Sequence, residues 1–146
     1  MLTPEQINVL VIDDDEIARE YLCDVLRRAG FLVEDTSSTI GITNKLVRDH
    51  FRVVVLDIMM PAIRGDKLAG LLKKNTHLQG LGIVLVSGAP KAEIEQLLGE
   101  LDGAVVINKG EARIKLAEAV LKAARERASA SLPPVQSIRP SMRPKG

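Results

Sequence analysis

Apolar residues in this chain fall into short continuous runs, separated by stretches in which they recur at helical spacing. The first run, INVLVI at 7–12, stops at three aspartates. An apolar run with no polar alternation predicts a strand buried on both faces. Ile17, Tyr21 and Val25, together with Leu22, Leu26 and Ala29, then follow a 3.6-residue period, with Gly30 placed as a C-cap. A second strand is predicted over 31–34. A weaker helix follows over 37–49, anchored by Ile40, Leu46 and Val47. The run RVVVL at 52–56 predicts a third strand, which leads into Asp57. A helix over 67–74, a strand over 82–86, a helix over 92–98 and a strand over 104–107 come next. The last helix is predicted over 112–127, with Ile114, Ala117, Val120, Leu121 and Ala124 on one face.

Strict alternation of fully apolar strands with helices predicts an α/β fold, a parallel sheet covered by helices on both faces. In such sheets the functional crevice lies outside the carboxyl ends of the strands. The predicted ends carry Asp13, Asp14 and Asp15, then Asp57, Ser87 and Lys109. No internal repeat is visible in residues 1–128.

Composition narrows the picture. The chain has 146 residues and is 46% hydrophobic, enough for one domain with a normal core. Its formal charge of +1 makes no whole-chain case for nucleic acid, and three aromatics argue against base stacking. One cysteine, Cys23, excludes a disulfide framework and any multi-cysteine zinc site, and its place on an apolar helix face predicts a buried, inert thiol. His50 and His77 are far apart in sequence and have no neighbouring ligand partners. The N-terminus lacks a basic leader, and no stretch reaches the apolar length of a membrane span, so a soluble, cytoplasmic protein is expected. Residues 129–146 hold four of the seven prolines, no acid, and Arg139, Arg143 and Lys145. They predict a disordered Pro/Ser-rich basic tail, either inert or able to contact an acidic partner.

Carboxylates gathered at one sheet edge repel each other unless a cation is present. Hard oxygen ligands select Mg²⁺ or Mn²⁺. Lys109 offers a point positive charge, Ser87 a hydroxyl, and Asp57 an oxygen nucleophile. Together they predict a magnesium-assisted aspartate that accepts a phosphoryl group.

The segments VLVIDDDE, VVVLDIMMP followed by Gly65, IVLVSG and VVINK, in this order and spacing, resemble the receiver domain of two-component response regulators, in its single-domain, chemotaxis-regulator-like form. The resemblance covers residues 7 to about 126. It implies a flavodoxin-like doubly wound sheet of five parallel strands in the order 2-1-3-4-5, within a receiver domain spanning 1–128. It also implies Asp57 as phosphoacceptor, with Ser87 as the switch hydroxyl and Lys109 as the pocket lysine. The Mg²⁺ site would be Asp13, Asp14, Asp57 and the backbone carbonyl of Met59. A sensor histidine kinase or phosphotransfer protein would be the donor and a further protein the downstream target. The chain would be no enzyme beyond its own phosphotransfer and dephosphorylation.

Two positions depart from the pattern. Gly110 stands where many members have proline, which leaves the peptide after Lys109 less restricted. Val106 stands where many have an aromatic ring that moves with the switch hydroxyl. The expected function is a stand-alone response regulator. The alternative is a phosphorylation-independent module for protein–protein interaction. A phosphatase of the aspartate-nucleophile type would need an acid two residues after Asp57, and that residue is Met59. No G-x-G-x-x-G follows the first strand, against dinucleotide binding.

Overall fold

The computed structural model describes residues 1–90, 92, 93, 96 and 105–131. Five strands, β1 (Asn8–Ile12), β2 (Leu32–Thr36), β3 (Val53–Asp57), β4 (Gly82–Ser87) and β5 (Val105–Asn108), form one parallel sheet in the order β2-β1-β3-β4-β5. The described helices are α1 (Glu16–Arg28), α2 (Ile42–Arg48), α3 (Gly65–Lys73) and α4 (Ala112–Ser131). The helix expected over 92–98 lies largely outside the described residues, as does most of the expected tail.

Side-chain alternation along the strands divides the core in two. Val9, Val11, Val53, Val55, Val84 and Val86 face α1 and α4, where they meet Leu22, Leu26, Leu116 and Val120. Leu10, Ile12, Leu56, Ile83 and Leu85 face α2 and α3, where they meet Ile42, Leu46, Leu68 and Leu72. The long helices therefore sit on a valine floor, and the two short ones on larger side chains that fill the space below them. Gly82 lets α4 come close: a Cβ there would lie 2.8 Å from the Ala123 carbonyl oxygen.

Several expected helix faces are rotated in the structure. In α1 the buried residues are Leu22, Cys23 and Leu26, while Ile17 and Tyr21 are exposed. In α4 the buried face is Ala112, Leu116, Ala119, Val120, Ala123 and Ala124, and Ile114 points outward. Ile40 is 91% exposed and lies outside α2, whose anchor is Ile42 instead. The strand expected over 31–34 begins at Leu32, because Phe31 closes α1. Its N–H bonds to the Leu26 carbonyl at 3.2 Å while the Gly30 N–H bonds to Arg27 at 3.0 Å. With Gly30 at φ +100°, this is a Schellman cap. The last helix continues through Ser131, four residues past its expected end at Arg127.

Candidate functional site

Asp13 follows β1 directly, Asp57 is the last residue of β3, Ser87 ends β4, and Lys109 follows β5. Parallel register brings these ends to one edge: Asp57 is paired with Val86, the residue before Ser87, and Ser87 is paired with Asn108, the residue before Lys109. Carboxylate oxygens of Asp13, Asp14 and Asp57 all lie within 4.8 Å of one another. The Lys109 ammonium sits 2.8 Å from Asp13 Oδ2 and 3.4 Å from Asp57 Oδ1. Asp13 and Asp57 are buried and Asp14 is exposed, so the pocket has two deep carboxylates and one at its mouth.

The backbone around the pocket is held tightly. The Met59 N–H donates to Asp57 Oδ1 at 3.2 Å, and the Asp15 N–H to Asp13 Oδ1 at 3.0 Å. The peptide on the amino side of Met59 therefore lies against the Asp57 carboxylate, while the Met59 side chain is exposed. The Ser87 hydroxyl is buried and accepts from the Ala89 N–H at 3.0 Å.

Burial pushes the Asp57 carboxyl up to about 6. Lys109 and the Met59 N–H pull it down, and the neighbouring Asp13 pushes it up. Burial also acts to lower Lys109, but its two carboxylate partners more than offset this and its pKa is raised. Three carboxylates against one ammonium leave the pocket at about −2 when all are ionised. Asp13 Oδ2 is buried and takes its charge partner from the Lys109 ammonium at 2.8 Å. Three carboxylates within reach of one another, two of them buried and only one ammonium to balance them, offer purely oxygen ligands that suit a small hard dication.

Arg19 has no counterpart in the sequence pattern, yet it braces the acidic loop. Arg19 on α1 donates to the Asp13 carbonyl oxygen at 2.9 Å and to Asp35 of β2 at 3.3 Å, and so ties the acidic loop to the edge strand. Gly65 opens α3 against β3: a Cβ there would lie 2.2 Å from the Asp57 carbonyl oxygen. Arg64 and the buried Asp66 beside it form a two-pronged pair, at 2.9 and 2.7 Å. Gly110 is not loose: its N–H donates to the Asn108 side chain at 2.8 Å. Cys23 is buried at the α1–β2 contact, and burial raises its thiol pKa to about 11, consistent with an inert thiol. His50 and His77, though distant in sequence, line one cavity of about 220 Å³ next to the chain segments that enter β3 and β4, at the end of the sheet away from the carboxylates.

A doubly wound parallel sheet with an acidic, lysine-closed pocket at its carboxyl edge defines the class of protein: a flavodoxin-like α/β domain. The model of the response regulator receiver domain matches residues 9–121, and the chain belongs to that family. Among curated relatives, it is 28% identical over 92 residues to the transcriptional regulatory protein GltR of Pseudomonas aeruginosa, covering 63% of this chain and 38% of GltR. It is 39% identical over 72 residues to an uncharacterized response regulatory protein, VP0538, of Vibrio parahaemolyticus, covering 48% of this chain and 30% of the relative. The matches thus span about a third of these relatives' length. Among solved structures, response regulator TrrA of Thermotoga maritima, in complex with Mg²⁺-BeF, superposes with a TM-score of 0.64 at 26% identity, covering 80% of this chain and 97% of TrrA. The chemotaxis protein CheY4 of Vibrio cholerae shares the fold with a TM-score of 0.63 at 19% identity, covering 82% of this chain and 97% of CheY4. No described helix is long and apolar enough to cross a membrane.

Proposed function

We propose that this chain is a cytoplasmic phospho-switch that accepts a phosphoryl group on Asp57 and then regulates a partner protein. The observation that carries this reading is the juxtaposition of the buried Asp57 carboxylate with Lys109 at 3.4 Å and with two further carboxylates. Asp13, Asp14 and Asp57, with the Met59 carbonyl, would hold Mg²⁺, which when bound neutralises charge on the phosphoryl oxygens. The TrrA complex with Mg²⁺-BeF supports that assignment.

The donor is a phosphohistidine of a sensor kinase or phosphotransfer protein. An Asp57 carboxylate oxygen attacks phosphorus and the P–N bond breaks. The leaving imidazole keeps the electron pair and gains a proton, and Asp57 becomes an acyl phosphate. Lys109 then pairs with a phosphoryl oxygen. Ser87 gives up the Ala89 N–H and donates its hydroxyl to another, which shifts the conformational equilibrium that a partner reads.

Phosphoramidate, whose P–N bond resembles phosphohistidine, supplies the test. Intact-mass analysis should show a gain of one phosphoryl group in Mg²⁺, with no gain in EDTA or in Asp57→Asn. A folded protein that stays unmodified at every donor concentration would instead favour a module that works without phosphorylation.

A further inference from the structure

Glycine after Lys109 should leave that peptide free, yet one side chain holds it. Asn108 is the last residue of β5. Its Oδ1 accepts from the Gly110 N–H at 2.8 Å and caps the three-residue 3₁₀ turn Lys109–Glu111. Its Nδ2 donates to the Ala89 carbonyl at 2.9 Å, across 19 residues of sequence. The Ala89 N–H in turn donates to the Ser87 hydroxyl at 3.0 Å. A single carboxamide therefore joins the two loops that carry Lys109 and Ser87. The task needs a donor and an acceptor on one short, planar group. Aspartate has no donor, and serine is too short to span both loops.

We propose that Asn108 is a positioning residue of the pocket, a tie that makes the Lys109 turn and the Ser87–Ala89 loop move as one. The inference deepens the reading of Asp57 as phosphoacceptor and rests on it. A proline at 110 would remove the N–H that Asn108 holds and would disfavour the helical backbone at Lys109. The carboxamide supplies here the restriction that a proline would impose elsewhere. As Lys109 leaves Asp13 for the phosphoryl oxygens, its turn follows and Asn108 draws on the Ala89 carbonyl. Displacement then passes between the loops through hydrogen bonds, with no need of an aromatic ring at Val106.

Asn108→Ala removes both bonds, and Asn108→Ser keeps only an acceptor close to the Gly110 N–H. Two readouts are taken on each full-length variant. One is the rate of acetyl phosphate modification in Mg²⁺, separated into maximal rate and half-saturating magnesium. The other is the NMR signal of the Lys109 side chain and the Ala89 amide in donor-free protein. Asn108→Ala should lower the maximal rate about tenfold with half-saturating magnesium unchanged, and should move both NMR signals. Asn108→Ser should return the Lys109 signal towards wild type while the Ala89 signal stays displaced. Wild-type rates with both signals unmoved would overturn the proposal. So would a rate loss matched by a fall in thermal midpoint with both signals unmoved. If wild-type protein takes no phosphoryl group, the phosphoacceptor reading fails, while the two donor-free signals still decide whether Asn108 ties the loops.

Discussion

Replacing Asp57 by asparagine should stabilise the metal-free protein, and by an amount that depends on pH. The Asp57 carboxyl rises from 3.8 to about 6 in the folded state, chiefly because it is buried. For an acid, a folded pKa above the unfolded one penalises the ionised form. The penalty is absent below the unfolded pKa, grows through the window from 3.8 to about 6, and is complete above it. At about 1.36 kcal/mol per pH unit, it reaches about 3 kcal/mol near pH 7.5 and falls to about 1 kcal/mol near pH 4.5. The asparagine side chain keeps an oxygen for the Met59 N–H and carries no charge, so the variant escapes the penalty. Comparing the two pH values cancels most of the packing difference between the side chains. Urea titrations of wild type and Asp57→Asn without metal should therefore show an advantage for the variant that is about 2 kcal/mol larger near pH 7.5 than near pH 4.5. Magnesium at about a hundred times its dissociation constant should return about 2.7 kcal/mol to the wild type and much less to the variant. An advantage that is equal at both pH values, or a variant less stable near pH 7.5, would refute the picture of a charge strained by burial and relieved by a cation.

Other expectations follow from the supports of the pocket. Gly65→Ala should cost about 1–3 kcal/mol and slow Asp57 modification, because its Cβ collides with the Asp57 backbone; denaturation and intact-mass rates check this. Arg19→Ala should weaken magnesium binding several-fold and cost about 1–2 kcal/mol, as it releases the Asp13 carbonyl; calorimetric titration of magnesium measures the first effect. The acyl phosphate should persist for minutes in the isolated protein, since neither Met59 nor Ala89, two residues past Asp57 and Ser87, has a side chain able to orient an attacking water. Following the mass after removal of donor tests this, and a half-life under a minute would contradict it.

The strands were legible because burial on both faces removes polar alternation, and 7–12, 52–56 and 82–86 can be little else. The acids and the lysine were legible for a related reason: a charge that ends an apolar run must emerge at the sheet edge. Helix faces were harder to read. In α1 two apolar stripes overlap, and only contact with the sheet selects Leu22, Cys23 and Leu26 over Ile17 and Tyr21. In α4 the close approach at Gly82 favours alanines, which hydropathy reads as nearly neutral, and turns Ile114 outward. Arg19 and Asn108 escaped sequence reasoning because each grips a backbone carbonyl outside its own helix or strand, and any residue type can supply a carbonyl.

Locating the phosphoryl group decides whether Asp57 is the acceptor. After treatment with acetyl phosphate and Mg²⁺, borohydride reduction converts an aspartyl phosphate to homoserine, which peptide mass mapping detects. Trypsin releases residues 53–64 as VVVLDIMMPAIR, which holds Asp57 as its single acid and no hydroxyl side chain, so a modification in it has one interpretation. Homoserine is expected at position 57, dependent on magnesium and lost in Lys109→Ala. An unmodified 53–64 peptide beside a modified one elsewhere in the chain would contradict it.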